Sequence, residues 1–170
     1  MAGTASVIDG DTLEIHGVRV RLHGIDAPES RQTCERDGKE YRCGQRAALA
    51  LSDWIGRRPV TCEAKNKDRY GRTVASCSVG GQDIGGWLVS QGHAVAYRRY
   101  GGAIYDKQEA GAKAGKRGVW AGTFQQPQEY RQSGAKPPVA SPSPAPVVAP
   151  ARYYVAPATM TASADADASR

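Results

Sequence analysis

Three short segments of the sequence carry carboxylates and arginines at close spacing: residues 8–12 (IDGDT), 21–29 (RLHGIDAPE) and 68–72 (DRYGR). Their carboxylates are numerous enough to bind a hard divalent cation, which prefers oxygen ligands, and still leave one acid over. Their arginines could hold a phosphate through paired N–H donors. A cation site, a spare acid and phosphate-binding arginines are together the groups needed to hydrolyse a phosphodiester bond.

Asp11 and Asp26 are the candidate metal ligands in these segments. A hard divalent cation takes carboxylate oxygens and can complete its coordination shell with water and backbone carbonyls. Asp9 is predicted to orient water or Asp11 rather than to bind the cation itself. Turn formation is the alternative for Asp9 and Asp11, because aspartate before glycine is a common turn residue. The presence of Asp26 and Glu29 nearby favours the metal site.

Glu29 is the candidate general base that would polarise the attacking water. Its alternatives are a third metal ligand or a salt bridge within the loop. Arg21 and Arg72 are predicted to clamp the phosphate, because the transition state carries more charge on its equatorial oxygens than the substrate does. Arg21 lies on the strand face opposite Val20 and Leu22, so it need not be buried. A plain surface position is the alternative for both arginines.

Short strands are predicted to position the first two segments. Glycine turns divide residues 5–22 into three β-prone runs, and the last run alternates apolar and charged residues before Pro28 stops it. A further strand pair is predicted over residues 59–64 and 73–79, on either side of the third segment. These runs place the carboxylates and arginines in turns or near strand ends.

Three helices are predicted between and after these strands. The first presents Leu51 and Ile55 on one face and ends at Gly56. The second begins after Asp83, a suitable N-cap residue, and the third covers residues 103–116. Five strands and three helices in this order predict an α+β fold built on a small five-stranded OB-fold β-barrel.

Composition divides the chain of 170 residues into a folded part and a tail. Residues 133–170 hold seven of the ten prolines and little aliphatic sequence, so they are predicted to be disordered. Tyr153 and Tyr154 in this tail are either a weak binding motif or incidental aromatics. The predicted organisation is a stub over residues 1–4, a domain over 5–132 and the tail.

The predicted domain is moderately basic, with 20 lysines and arginines against 15 acidic residues. A basic surface suits a polyanionic partner, because lysine and arginine that neutralise phosphates release counterions. Many basic proteins bind no nucleic acid, however, so the charge supports a nucleic-acid partner only together with the arginines named above.

All four cysteines lie between residues 34 and 77, and none forms a CxxC pair, which argues against a zinc knuckle. The simplest pairing joins Cys34 to Cys43 and Cys62 to Cys77, although four cysteines allow three connectivities. Disulfides imply an oxidising compartment, whereas reduced cysteines would imply the cytosol. We expect a secreted or periplasmic protein whose leader is absent from this numbering, and no apolar run is long enough to span a membrane.

The order of the motifs resembles the staphylococcal nuclease (thermonuclease) family. The resemblance covers about residues 5–122 and rests on residues 8–12, 20–29, 68–72 and the Gly-Val-Trp sequence at 118–120. It implies an OB barrel with three helices, hydrolysis of DNA and RNA phosphodiesters, and Ca²⁺ as cofactor. The cysteines are not part of the staphylococcal pattern and resemble those of exported bacterial members.

The same resemblance adds binding residues to the candidate site. It implies that the backbone carbonyl of Ala27, where many members have threonine, is a metal ligand. It also implies a rim of tyrosines on which bases stack, here Tyr70, Tyr97 and Tyr100 together with Arg69, although packing is the alternative for the last two tyrosines. The expected partners are DNA and RNA, preferably unpaired, bound by a monomer. The competing interpretations are a catalytically silent OB-like binding module and a disulfide-containing adhesion domain.

Overall fold

The computed structural model describes residues 1–134 of the chain. Within this range the strands are β1 (Ala2–Gly3), β2 (Ala5–Asp9), β3 (Thr12–Ile15), β4 (Val18–Leu22), β5 (Ile25–Asp26), β6 (Cys34–Arg36), β7 (Lys39–Tyr41), β8 (Val60–Lys67), β9 (Thr73–Val79), β10 (Gln82–Asp83) and β11 (Val95–Ala96). The helices are α1 (Cys43–Ile55), α2 (Ile84–Ser90), α3 (Asp106–Ala114) and α4 (Pro127–Gln132). Most of the predicted tail, with Tyr153 and Tyr154, lies outside the described residues.

The helices differ from the prediction in number and in one boundary. The predicted third helix, residues 103–116, is a 3₁₀ turn over Gly102–Tyr105 followed by α3. It stops early because Lys116 takes a positive φ of 49°, which interrupts the helical path. The fourth helix, α4, was not predicted; proline at its N-terminal turn sets the backbone angle that starts it. No helix within residues 1–134 is long and apolar enough to cross a membrane.

One mixed sheet carries most of the strands, in the order β1-β8-β9-β4-β3-β2, with β10 added beside β9. β2, β3 and β4 form an antiparallel meander, and β8 and β9 form an antiparallel pair. β4 and β9 run parallel, which requires a long crossover between them; the segment that contains α1 supplies it. The fold is therefore α+β, while the predicted closed five-stranded barrel stays a prediction.

The main core lies between this sheet and the helices α1 and α2. α1 packs against β2, and α2 packs against β9. The burial of large apolar side chains from both layers supplies most of the favourable free energy of folding. Its largest fully buried aliphatic members are Leu13, Ile15, Val20, Ile25, Leu51, Ile55, Val60, Val79, Ile84, Leu88 and Val89.

Two disulfides are present, and they are the simplest pairing that the sequence offered. Cys62 and Cys77 face each other across the β8–β9 pair, with their Cα atoms 4.1 Å apart. Cys34 and Cys43 join the start of the β6–β7 hairpin to the first residue of α1. The second disulfide belongs to a small separate core with Val119. Each bond closes a short loop and so restricts the unfolded chain.

Residues 122–132 form a segment that we call the strap, and several contacts hold it on the domain. Thr123 and Glu35 exchange two backbone hydrogen bonds of 2.9 and 3.0 Å. The side-chain amide of Gln32, which is fully buried, donates a 2.7 Å hydrogen bond to the carbonyl of Gln125. Pro127 is buried at the start of α4. These contacts place α4 against the loop that follows β5.

Glu109 on α3 is a buried carboxylate, only 3% exposed, that ties this helix to β11. One oxygen accepts a 3.0 Å hydrogen bond from the backbone N–H of Ala96, and the other accepts from Arg98 and Lys113. Burial opposes the charge, but the hydrogen bonds from Arg98 and Ala96 outweigh it and lower the pKa of Glu109.

Glu109→Gln is expected to lower the free energy of unfolding at about pH 7 by about 1.5–3 kcal/mol, the range for hydrogen bonds to a charged group. Because the folded state depresses the pKa, this stabilisation exists above the ordinary value of 4.5 and disappears as the pH falls through the lower folded value. Urea unfolding of both proteins between about pH 7 and pH 3 measures the difference. A difference that did not shrink on acidification would contradict this assignment.

Candidate active site

The turn between β2 and β3 presents Asp9 and Asp11 to the interior. A side-chain oxygen of Asp9 accepts a 3.0 Å hydrogen bond from the backbone N–H of Asp11, which holds the turn. Asp11 is 5% exposed. The turn can sit this close to the next loop because residue 10 is glycine: a Cβ there would lie 2.7 Å from the Cβ of Ala27. Asp9 therefore forms the turn, and its predicted role in orienting water or Asp11 stays a prediction.

β5 brings Asp26 beside this turn. Its pairing with β11 sets Asp26 opposite Val95 and leaves the carboxylate 1% exposed. The next residue, Ala27, donates its backbone N–H to Asp11 over 3.0 Å. Two carboxylates that are far apart in the sequence thus converge in one buried place.

Arg21 on β4 bridges the two carboxylates. Its guanidinium forms an ion pair with Asp11 through one nitrogen, and the other nitrogen lies 3.1 Å from Asp26. The same nitrogen donates to the carbonyl of Ile25 over 3.3 Å. The strand prediction is confirmed here, because Val20 and Leu22 are buried while Arg21 lies on the other face.

The charges in this cluster shift one another's protonation. Burial and the nearby charge of Asp11 raise the pKa of Asp9 to about 7. Burial also disfavours the charge of Asp11, but Arg21 and the Ala27 N–H outweigh that effect and lower its pKa. The carboxylates likewise outweigh burial at Arg21 and raise its pKa. Asp11 is therefore the ionised member of the aspartate pair, and Asp9 is the one poised to hold a proton.

Glu29 lies on the loop that follows β5, and Gln32 fixes that loop. The side-chain oxygen of Gln32 accepts the backbone N–H of Glu29 over 3.1 Å, and its backbone N–H donates to the Glu29 carbonyl over 2.7 Å. The first turn of α1 packs directly on this carbonyl at Gly44, where a Cβ would overlap it. The backbone that carries Glu29 is therefore held on two sides.

Arg131 of α4 completes the cluster. Its guanidinium donates to both oxygens of Asp26 over 2.9 and 2.8 Å and to Glu29 over 2.8 Å. Burial opposes its charge, but these hydrogen bonds outweigh burial and raise its pKa. The cluster thus contains four carboxyl groups, from Asp9, Asp11, Asp26 and Glu29, and the guanidinium groups of Arg21 and Arg131.

The third segment forms its own turn between β8 and β9. One oxygen of Asp68 accepts the backbone N–H groups of Tyr70 and Arg72, and the other accepts the Arg72 guanidinium over 2.7 Å. Burial is outweighed by these hydrogen bonds, which lower the pKa of Asp68. Arg72 therefore contacts Asp68 and not the acidic cluster of Asp11 and Asp26.

The tyrosines of the predicted rim lie in two places, with Tyr70 and Tyr100 exposed and Tyr97 half-buried. The ring of Tyr70 is 69% exposed and has the guanidinium groups of Arg69 and Arg72 over it, at 4.8 and 5.5 Å. The rings of Tyr97 and Tyr100 lie 4.8 Å apart at the 3₁₀ turn Arg98–Tyr100. Exposed aromatic faces with adjacent arginines are suited to stacking on unpaired bases.

The donor set fits a hard divalent cation. Asp11 and Asp26 both contact the guanidinium of Arg21, so their oxygens already converge on one positive charge. In the described part of the chain, no three histidine, cysteine, aspartate or glutamate side chains form a metal-binding group by themselves. A cation here would therefore complete its shell with backbone carbonyl and water oxygens, as Ca²⁺ does.

The sequence missed two residues of this site, Gln32 and Arg131. Proline followed by Gln-Glu-Tyr-Arg is a recognisable helix start, so the existence of α4 had a signal. The pairing of Arg131 with Asp26 had none, because the two residues are 105 positions apart. Gln32 is a polar residue in a loop, and only its complete burial distinguishes it.

Comparison with known proteins adds a family and several relatives. The model of the family described as "Staphylococcal nuclease homologue" matches residues 19–122. "Succinoglycan biosynthesis protein ExoI" of Rhizobium meliloti (strain 1021) is 43% identical over 121 residues, which are 69% of this chain and 63% of that protein. "Micrococcal nuclease" of Shigella flexneri is 34% identical over 144 residues, which are 75% and 78% of the two chains. "Protein ParB" of Escherichia coli is 35% identical over 131 residues, which are 68% and 69%.

The match extends over more than half of the chain and includes β4, the loop with Asp26 and Glu29, and the Asp68–Arg72 turn. The chain spans 63% of the length of ExoI, so that protein has a further part that has no counterpart in the alignment. The first motif, residues 8–12, lies before the matched region. The chain belongs to the staphylococcal nuclease family.

Proposed function

We propose that the chain is a Ca²⁺-dependent nuclease that hydrolyses phosphodiester bonds of DNA and RNA with little specificity for the sugar. The observation that carries the proposal is the convergence of Asp11 and Asp26 on one guanidinium, with Glu29 sharing a partner with Asp26. Relatives named "Micrococcal nuclease" and "Uncharacterized endonuclease" support the same activity.

Asp11, Asp26 and the carbonyl of Ala27 would hold the cation, and Asp9 would orient the carboxylate of Asp11 or a water. When bound, Ca²⁺ supplies a Lewis acid that polarises a phosphoryl oxygen. The convergence of Asp11 and Asp26 on one guanidinium supports the assignment, because a divalent cation needs converging oxygen ligands.

Glu29 would take the proton of the attacking water, and Arg21 and Arg72 would hold the phosphate oxygens. The role of Arg21 is supported by its contacts with both aspartates, which hold its guanidinium beside the proposed cation ligands. To bind the phosphate, Arg72 would have to break its ion pair with Asp68 or contact both groups at once. Guanidinium groups stabilise the transition state more than the substrate because its equatorial oxygens carry more charge.

Single-stranded or unpaired nucleic acid is the proposed substrate form, bound by a monomer. Tyr70, Tyr97 and Tyr100 would stack on bases, and Arg69 would add a cation beside the Tyr70 ring. Stacking is tolerant of sequence because every base has a π-face, which agrees with a nuclease of low specificity. The excess of positive charge would attract the phosphate backbone.

We further propose the five-stranded OB barrel of the family and an exported protein. Only Thr4 separates β1, which pairs with β8, from β2, which pairs with β3, so one extended segment contacts both ends of the sheet and this supports closure. The two disulfides support a secreted or periplasmic location. The organisation into residues 1–4, 5–132 and a tail of 133–170 stays part of the proposal.

The protein is expected to cleave single-stranded DNA and RNA in the presence of Ca²⁺ and to leave them intact when EGTA chelates the Ca²⁺. Asp26→Asn should weaken Ca²⁺ binding by more than about 10- to 100-fold, because that is already the effect of losing an outer partner of a metal ligand. Asp53→Asn, an exposed aspartate on α1, is the matched control and should change neither quantity. Cleavage that persists in EGTA would refute the Ca²⁺ requirement, and absence of cleavage in Ca²⁺ would leave a silent binding module.

A further inference from the structure

The strap occupies the proposed metal site with a side chain of its own. Arg131 places one guanidinium nitrogen between Asp26 and Glu29 and the other on the second oxygen of Asp26. Both oxygens of Asp26 are therefore taken, one of them shared with Arg21. An arginine that grips a carboxylate with two parallel N–H···O bonds makes one of the stronger charged contacts available to a protein.

The contact is built by the fold rather than by a loose terminus. The hydrogen bonds of Thr123 with Glu35 and of Gln32 with Gln125 fix the path of the strap, and buried Pro127 fixes the start of α4. Arg131 stands one turn further on, over the carboxylates. The matched family region ends at residue 122, so Arg131 and all of the strap after its first residue lie outside it.

We propose that Arg131 is an intramolecular competitor of the divalent cation: it occupies the carboxylates of Asp26 and Glu29, and binding of the cation releases it together with α4. The inference rests on the metal site of the proposed function. A divalent cation and the Arg131 guanidinium would compete for the lone pairs of the two Asp26 oxygens, and their like charges repel when both bind one carboxylate. The cation must therefore displace Arg131 or share a weakened site with it.

Arg131 rather than Arg21 is the group that can leave. Arg21 belongs to β4, which is hydrogen-bonded on both sides, to β3 and to β9. Arg131 belongs to a helix of six residues whose only buried residue is Pro127. A short helix with little buried surface opens at low free-energy cost. The ion pairs of Arg131 are thus the main contacts that the last turn of α4 makes with the site.

Competition of this kind is reciprocal. If Arg131 weakens cation binding by a given factor, the cation weakens the docked state of α4 by the same factor. Couplings between sites typically amount to about 5- to 150-fold, and we expect roughly tenfold here, because the competing helix is short. The strap would then neutralise Asp26 and Glu29 at low Ca²⁺ and release them to the cation when the Ca²⁺ concentration rises.

Titration calorimetry with CaCl₂ alone, without nucleic acid, tests the first half of this coupling. Arg131→Gln keeps a polar side chain but shortens it and removes the charged guanidinium, and is expected to bind Ca²⁺ roughly tenfold more tightly than the natural chain. Arg57→Gln removes the same charge from an exposed position after α1 and should leave the affinity unchanged. Equal Ca²⁺ affinity in all three proteins would overturn the inference while leaving the metal site intact.

Amide hydrogen exchange of α4 tests the second half. The backbone N–H groups of Tyr130 and Ser133 donate to Gln126 and Glu129 over 2.9 Å, and they report whether the helix is formed. In the natural chain, saturating Ca²⁺ is expected to lower their protection by the same factor. In Arg131→Gln the protection of these two amides should already be low without Ca²⁺ and should change little when Ca²⁺ is added. Unchanged protection of these amides in Ca²⁺ would refute the release of α4. If no variant bound Ca²⁺, that result would instead refute the metal site of the proposed function, and the proposed competition between Arg131 and the cation would fall with it.

Discussion

Glu29→Gln is expected to lower kcat for cleavage of single-stranded DNA by about 10²–10⁴-fold at saturating Ca²⁺, the range for loss of a general base. Glutamine has nearly the shape of glutamate and keeps an oxygen that can accept the hydrogen bond from Arg131. It cannot take a proton from water at neutral pH. The loop should stay in place, because Gln32 and Gly44 hold it through the backbone and not through the Glu29 side chain.

The same variant separates the two roles that Glu29 could have. A general base contributes to kcat and not to Ca²⁺ affinity, whereas a metal ligand contributes to both. Glu63→Gln is the matched control, since Glu63 lies on β8 with a side chain that is 79% exposed and pairs only with Lys65. Unchanged kcat in Glu29→Gln would exclude Glu29 as the base. A loss of kcat that higher Ca²⁺ restores would identify it as a ligand.

Gly44→Ala is expected to lower the free energy of unfolding by about 1–3 kcal/mol. It should also lower the rate of cleavage, because it displaces Glu29. Alanine is a better helix residue than glycine by about 1 kcal/mol, so helix propensity alone predicts stabilisation. The steric overlap of the new Cβ outweighs the gain in helix propensity, because the Cβ would meet the backbone carbonyl of Glu29 and a backbone group cannot rotate away. That carbonyl is also held by the N–H of Gln32 at 2.7 Å.

Gly111→Ala in α3 is the control for this substitution. A Cβ at residue 111 would meet only the end of the flexible Arg117 side chain, at 3.3 Å, which can move aside. Alanine there should be neutral or stabilise by up to about 1 kcal/mol. Urea unfolding and cleavage rates of both variants decide the matter. The interpretation is wrong if Gly44→Ala is as stable and active as Gly111→Ala.

Two sets of contacts hold the loop that carries Glu29, one through its backbone and the other through its side chains. Gly44 and Gln32 hold the backbone of the Glu29 loop, and Gln32 also holds the strap through Gln125. Arg131 then reaches the side chains of the same loop. The loop that carries the proposed base is thus built together with the segment that we propose regulates the metal. Their positions are coupled through one buried glutamine.

Much of the fold follows from local patterns in the sequence. The alternation of residues 18–22 and the apolar face with Leu51 and Ile55 correctly indicated β4 and α1, because burial on one face has a fixed period in each element. Asp83 accepts the N–H of Gly86 and caps α2 as predicted. The predicted end of α3 at residue 116 lies two residues beyond the observed end at Ala114, where Gly115 is the C-cap and Lys116 takes a positive φ.

The sequence by itself determined which chemistry is present: the carboxylates, the arginines, the cysteines and their order along the chain, which together resemble one family. Only the tertiary structure decided which of them meet. It joined Arg21 to Asp11 and Asp26, left Arg72 with Asp68, and brought Arg131 across 105 positions onto Asp26. The physical reason is that side-chain types and periodicity are local properties, whereas a charge pair depends on where distant segments pack.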